Sequence, residues 1–271
     1  MQRMKILIEI AHPAQVHQFR LLARELTARG HRVLFAVQEK EFTRYLLDQY
    51  KLDYRVISRS RKGLAKKLLQ LPLLYIRFIA LLITFRPHLI LSRFMLQSSH
   101  LSWLFRVPVI GFTDTEHVKL MLALTAPFIG TKITADTFTR NLGRNHFRYP
   151  GNIELFYLHP NRFKPDPEIF NLLGIPQNTP YAILRFVSWS AYHDVHQKGI
   201  SLSEKEELAA FLSRHMQVFI SSEGEIPASL AAYKLPAPPE RIHDVLAFAS
   251  IYVGEGASMA SEAALLGVPT V

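Results

Sequence analysis

The run Gly254-Glu255-Gly256-Ala257-Ser258, followed four residues later by Glu262, holds residue types suited to a phosphorylated ligand. Glycines between a strand and a helix let backbone N–H groups approach a diphosphate, and the helix N-terminus adds a favourable dipole. Ser258 belongs to the same Gly/Ser-rich turn, and Glu262 sets a carboxylate one turn into the helix. The plainer reading makes the glycines turn residues and Glu262 a capping-type carboxylate on a core helix. Arg185 and Ser188 stand where an apolar strand ends and the polar loop Ser188-Trp-Ser-Ala-Tyr-His193-Asp194 begins. Open α/β sheets bind ligands at that edge, so a guanidinium or hydroxyl there can reach a diphosphate. An ordinary surface loop is the alternative. Arg241-Ile-His243-Asp244 opens the helix before the glycine turn, where Asp244 serves equally well as a first-turn carboxylate that stabilises the helix dipole.

The N-terminal half offers acid–base groups. His12 and His17 flank the first strand-to-helix turn, and an imidazole titrates near neutrality, as a general base must. The helix dipole favours the proton-accepting form of His17, which makes it the better candidate of the two. Chance competes with both, because the chain contains 12 histidines. Asp114, Glu116 and His117 follow a second apolar strand and offer a carboxylate base or ligand. Alternatively Thr113 or Asp114 caps a helix and Glu116 completes a box-like turn. No Asp-x-Asp pair suggests a metal, so the charge of a bound diphosphate would be met by helix dipoles and by cationic or hydroxyl side chains.

These groups need strands that end in a row. Lys5–Ile10 has strand length, Val16, Phe19, Leu22, Ala23 and Leu26 recur at helical spacing up to Gly30, and Arg32–Val37 is apolar again. This βαβ pattern predicts a parallel sheet. Helices are predicted over 42–50 and over 64–85 with a bend near Pro72, strands over 54–57, 88–91 and 109–112, and 129–135 is predicted to close the first sheet. The proline-rich stretch 151–179 reads as a linker between an N-terminal domain, 1–150, and a C-terminal one, 180–271. The second domain is predicted to hold strands over 181–186, 217–221 and 251–253 and helices over 204–214, 242–249 and 258–266. Val268–Val271 begins one more strand, so this domain is expected to be incomplete by roughly two βα units, and the chain as it stands poorly stable or inactive.

The C-terminal run from Gly254 through Glu262 to Gly267-Val-Pro269 resembles the donor segment of GT-B glycosyltransferases and of UDP-N-acetylglucosamine 2-epimerase. His12-Pro-Ala-Gln-Val16-His17, Asp114-Thr-Glu116-His117 and Arg185-Phe-Val-Ser188-Trp189 are similar to a family of predicted glycosyltransferases related to that epimerase, and the likeness covers essentially the whole chain. The resemblance implies an α/β, GT-B-like fold of two Rossmann-like domains whose parallel sheets face a cleft. It implies that Glu262 takes the ribose hydroxyls, that the region of His243 meets the base, and that His17, His12, Asp114 or Glu116 serves catalysis on the acceptor side. The expected reaction is metal-independent transfer of a sugar, from a UDP-sugar in the first instance, to a glycan or lipid-linked acceptor, as in building cell-envelope polysaccharide. The nucleotide-sugar is then a substrate, and no cofactor is expected. The alternatives are a UDP-sugar 2-epimerase, or a non-catalytic nucleotide or nucleic-acid binding protein. Ala11-His-Pro-Ala14 stands where the epimerases carry an arginine-bearing loop, which speaks against epimerisation.

Composition narrows the setting. The chain has 271 residues, no cysteine and a net charge of +10, which fits a reducing, cytoplasmic compartment and an anionic partner. Between Arg55 and Arg86 every charged residue is basic. Helix 64–85 is interrupted too often to span a bilayer, which leaves a core helix or peripheral contact with anionic membrane through 59–86. The basic run lacks interleaved stacking aromatics, so nucleic acid is not the expected partner.

Overall fold

Strand β1 (Lys5–Ile10) turns Ile6, Ile8 and Ile10 into one core and Leu7 into another, as a parallel strand covered on both faces requires. The computed structural model describes residues 2–40, 42–59, 64–187, 199–222 and 224–271, without the side chains of 64–68. Ser188 and His193 therefore lie outside the described residues. The chain divides into two compact units, Met1–Tyr157 and Leu158–Val271.

In the first unit β1 leads through α1 (Pro13–Ala28) to β2 (Arg32–Glu39), then α2 (Thr43–Gln49), β3 (Tyr54–Arg59) and α3 (Leu64–Phe85). The second half runs β4 (Leu89–Ser92), α4 (Leu96–Phe105), β5 (Val109–Phe112), α5 (Lys119–Thr125), β6 (Thr131–Ala135) and β7 (His146–Tyr149), and the turn α6 (Leu155–Leu158) ends the series. The sheet order is β3-β2-β1-β4-β5-β6-β7, with every pair parallel. Helices α1 and α2 cover one face, with Val16, Phe19, Leu46 and Leu47 against Ile8 and Phe35. On the other face α3 packs Leu74, Phe78, Leu81 and Phe85 against Leu7 and Ile90, and it runs through Pro72 as one helix.

One expectation needs correction, and one helix had not been expected. Thr131–Ala135 does not close the sheet: β7 adds a further parallel strand, Lys132 to His146 through Ala135 to Tyr149 in register. Its sequence His146-Phe-Arg-Tyr149 exposes Phe147 and Arg148, a charged edge without the alternation that announces a strand. Helix α4 was also unmarked by any periodicity. It buries Gln97, Ser98, Ser99 and Ser102 beside Leu101 and exposes Trp103, Leu104 and Phe105, largely the reverse of the usual pattern.

The second unit runs α7 (Ile169–Leu173), β8 (Tyr181–Phe186), α8 (Leu202–Ser213), β9 (Gln217–Ser222), α9 (Ile242–Ala247), β10 (Ile251–Gly254) and α10 (Ala257–Leu265). Its parallel sheet has the order β10-β8-β9, and Thr270 bridges to Tyr252 on the outer side of β10. Alternate residues of β8 feed two cores, Tyr181 and Ile183 into one and Ala182, Leu184 and Phe186 into the other. Helix α8 starts with a full capping box, Ser201 with Glu204. Asp166, inside the proline-rich stretch read as a linker, is tied down: Arg241 pairs with it at 3.0 Å, and its backbone N–H donates to Asp244.

Candidate functional site

In open α/β sheets, ligands settle beyond the carboxyl ends of the strands at the point where strand order reverses. In the first unit that point lies between β1 and β4. His12 follows β1 as the N-cap of α1, and its Nδ1 accepts the Ala14 backbone N–H at 3.3 Å. A neutral ring held this way carries its proton on Nε2, so His12 is set to donate there. Arg93 follows β4 and spans the crevice. It donates to Gln18 Oε1 at 3.1 Å and to Asp114 Oδ1 at 2.5 Å. Asp114 also accepts the Thr115 hydroxyl at 2.9 Å. Glu116 accepts both the backbone N–H and the hydroxyl of Thr139, at 2.8 and 2.6 Å. Those bonds, with Arg140 and Arg148 nearby, hold its carboxyl below the usual range. The capping alternative for this segment does not apply, because α5 begins at Lys119 with Val118 as its N-cap and no side-chain cap.

His17 is placed differently. It is the fifth residue of α1 and is buried, with Nδ1 3.2 Å from the Tyr50 hydroxyl and its ring beside Tyr50 and Tyr157. The two tyrosines, more than the helix end, set its surroundings.

Beneath this edge sits a carboxyl that the motifs did not single out. Glu9 is fully buried at the end of β1, where Ser92 Oγ donates to it at 3.1 Å and the Gln97 side-chain amide donates to its other oxygen. Ser92 in turn bonds Ser98 at 2.8 Å. Burial pushes Glu9 up to about 7, against the opposing pull of its Ser98, Gln97 and Ser92 bonds. It thereby pins the β4–α4 turn, from which Arg93 projects.

The second unit reverses strand order between β8 and β10. Arg185, next to last in β8, stands in register with Gly254 and donates to Ser221 Oγ at 2.8 Å. Gly256 is the N-cap of α10, and Ser258 is exposed in the first turn. Gly254 is required by packing: a Cβ there would meet the Tyr252 ring and stand 2.9 Å from the Arg185 Cβ. Glu262 is buried and its Oε1 lies 3.3 Å from His243 Nε2, also buried, so α9 and α10 are joined by this pair. Asp244 accepts Arg241 Nε at 2.6 Å. Glu255, between the two glycines, accepts the backbone N–H groups of Val187 at 3.0 Å and Ile200 at 2.6 Å and lies 3.7 Å from Lys205. One carboxylate thus brackets the segment that carries Ser188 and His193. The Tyr252 hydroxyl is buried without a hydrogen-bond partner among the described residues.

Each unit therefore collects its chemistry at its own switch point: His12, Arg93, Asp114 and Glu9 in one, Arg185, Gly254, Glu255 and Gly256 in the other. A sequence profile of a family described as a protein of unknown function, DUF354, matches residues 4–271. The chain belongs to this family. A relative, an uncharacterized protein of Methanocaldococcus jannaschii, is 25% identical over 100% of this chain and 82% of its own length. Among solved structures, the UDP-GlcNAc 2-epimerase of the same organism matches with a TM-score of 0.65 at 14% identity, over 98% of this chain and 83% of that one. A Streptomyces sp. SF2575 glycosyltransferase complexed with thymidine diphosphate matches with a TM-score of 0.60 at 15% identity, over 99% and 81%. The fold of this DUF354 member is of the GT-B type, shared by glycosyltransferases and UDP-GlcNAc 2-epimerases.

Among the described residues no group of three or more His, Asp or Glu side chains is placed to hold a metal ion, and no helix is long and apolar enough to cross a membrane. Glu9 and Glu255 left one trace each in the sequence: an acid inside an apolar strand, and an acid between two glycines.

Proposed function

We propose that this DUF354 chain is a glycosyltransferase that moves a sugar from a nucleotide-sugar, a UDP-sugar, to a hydroxyl of a glycan or lipid-linked acceptor. The observation that carries the proposal is the switch point of the second unit. There Arg185, the Gly256-capped N-terminus of α10 and the exposed Ser258 share one sheet edge, on a fold that the compared glycosyltransferase also has. In transfer, the acceptor oxygen bonds to the anomeric carbon as the bond from that carbon to the diphosphate breaks. The hydroxyl proton passes to a base, and the leaving diphosphate gathers negative charge. Backbone N–H groups at a helix N-terminus and a guanidinium are suited to that charge without a metal.

On the acceptor side, His17 is the assigned base. In the tautomer whose Nδ1–H donates to the Tyr50 oxygen, Nε2 is the basic nitrogen. His12 acts as a donor through Nε2, and Asp114, steadied by Arg93, is the carboxylate that orients the acceptor. Glu116, held in its low-pKa form by Thr139, is a ligand rather than a base.

The test is calorimetric titration of the chain with UDP, GDP and CDP, followed by product analysis of the matching nucleotide-sugar with and without acceptor. Tightest binding of UDP, weakened by Arg185→Ala, is the expected result. No binding of any nucleotide sinks the donor assignment, whereas a C2-epimerised sugar formed without acceptor replaces transfer with epimerisation.

A further inference from the structure

The outer layer of the first unit is apolar where a soluble surface is polar. Helices α3, α4 and α5 and the turn Ala126–Phe128 pack side by side over the core that holds Leu7, Ile90 and Val109. On its outward side α3 exposes Leu69, Leu73, Ile76 and Ile83, a stripe at helical spacing opposite its buried Leu74, Phe78 and Leu81. Helix α4 is inverted, with Trp103 69% and Leu104 63% exposed over a buried polar side. The Trp103 ring lies beside Phe128, itself exposed, and α5 adds Leu120 and Leu124. Arg77, Arg86 and Arg106 are exposed along the same layer.

Behind α5 the layer opens into a hollow of about 610 Å³. Its walls carry four cations, Lys119, Lys132, Arg140 and Arg144, and among the described residues no acid. Lys132 is buried, its Nζ donates to the Arg144 carbonyl at 2.9 Å, and burial pulls its pKa down. Like charges around one space destabilise one another; the Glu116 carboxylate near Arg140 offsets part of this, and an entering anion offsets more. The apolar wall comes from Leu122, Ala123, Ala126 and Pro127, on the same α5 and turn that display Leu120, Leu124 and Phe128 outside. The cationic hollow and the apolar face share α5 and the turn Ala126–Phe128.

We infer that this layer docks on an anionic phospholipid bilayer, with Leu120, Leu124, Trp103 and Phe128 entering the acyl boundary and the Lys119–Lys132–Arg140–Arg144 hollow taking a headgroup phosphate. The charge complementarity chooses the occupant: an apolar face alone would suit any partner, whereas one adjoined by a cationic hollow with room for a phospholipid headgroup matches an amphiphile that is anionic at one end. The inference rests on the first unit alone and is independent of the transfer reaction proposed above.

The test is flotation with vesicles of phosphatidylcholine alone and of equal parts phosphatidylcholine and phosphatidylglycerol, using a Trp189→Phe chain in which Trp103 is the single tryptophan. Partitioning to the anionic vesicles is expected, with a blue shift of Trp103 emission. Arg140→Gln with Arg144→Gln should weaken it about 25-fold, from roughly fivefold per cation near the surface. Trp103→Ser with Leu120→Ser, both at exposed positions, should abolish the partitioning at unchanged circular dichroism. Equal binding to both vesicle types, or none to either, overturns the inference. So does uptake of inorganic phosphate without vesicle binding, which would make the hollow a site for a soluble anion. Self-association that Leu120→Ser breaks, in a chain that ignores vesicles, would assign the face to a second copy and overturn it as well.

Discussion

Glu9 gives the sharpest quantitative handle on this structure. Its carboxyl is fully buried, and its pKa rises from 4.5 to about 7 because desolvation outweighs the hydrogen bonds of Ser98, Gln97 and Ser92. The folded chain thus holds the Glu9 proton more tightly than the unfolded chain does. Stability from this group is fully present below pH 4.5, declines as pH rises through the window from 4.5 to about 7, and is flat above it. At roughly 1.4 kcal/mol per unit, the total loss is about 3 kcal/mol. Glu9→Gln keeps an oxygen to accept from Gln97 and turns an amide N–H toward the hydroxyls of Ser92 and Ser98, which can rotate to accept it. The variant should match the wild type near pH 4 and exceed it by about 3 kcal/mol at pH 8. Urea denaturation followed by circular dichroism across that range is the assay. The difference between the two proteins at each pH is the quantity to read, because contributions from the second unit cancel in it. A difference that does not change with pH would refute the reasoning, since it would mean that Glu9 titrates alike in the folded and unfolded chains.

Other expectations concern the second unit. Glu255→Ala leaves the Val187 and Ile200 N–H groups without their acceptor and should cost roughly 2–4 kcal/mol, with faster hydrogen exchange at both amides; unchanged exchange would show that the bracket is not held by this carboxylate. Tyr252→Phe removes a buried hydroxyl that has no partner among the described residues, so thermal denaturation should show stability equal to or slightly above wild type, and a loss beyond about 1 kcal/mol would mean that the hydroxyl is satisfied. Gly254→Ala pushes a methyl group against Tyr252 and the Arg185 Cβ and should cost about 1–3 kcal/mol while weakening nucleotide binding; calorimetry on a folded variant with full affinity would dissociate this turn from the ligand.

The two sheets were legible because their strands are buried on both faces and read as apolar runs, so β1, β2 and β8 stand out by composition alone. The motif residues were legible as residues but not as pairs. Nothing in the spacing says that Glu262 meets His243, that Asp114 meets Arg93, or that Asp166 is held by Arg241, because each contact joins segments separated by a long stretch of chain. The reason for Gly254 was also invisible: it lies in the bulk of a neighbouring tyrosine and not in any torsion angle.

Helix α4 shows why one layer of the first unit resists reading and what that resistance means. Periodicity finds helices by assuming that apolar residues face the core. In α4 the core side carries Gln97, Ser98, Ser99 and Ser102 beside Leu101; Gln97 and Ser98 are held there as partners of the buried Glu9 carboxyl, while Trp103, Leu104 and Phe105 are left outside. A buried acid and the polar residues that α4 turns toward it are therefore one arrangement. If Glu9 were apolar, Ser92, Ser98 and Gln97 would lose the group that holds them inward. The exposure of Trp103 and Leu104 would not follow from that loss, because nothing about the carboxyl requires tryptophan outside. That half of the inversion calls for a separate cause, and an anionic bilayer against α3, α4 and α5 supplies one. Glu9→Gln should accordingly alter stability and leave vesicle partitioning unchanged, whereas Trp103→Ser should do the opposite. A change in both properties from either substitution would show that the two halves of the inversion share one cause after all.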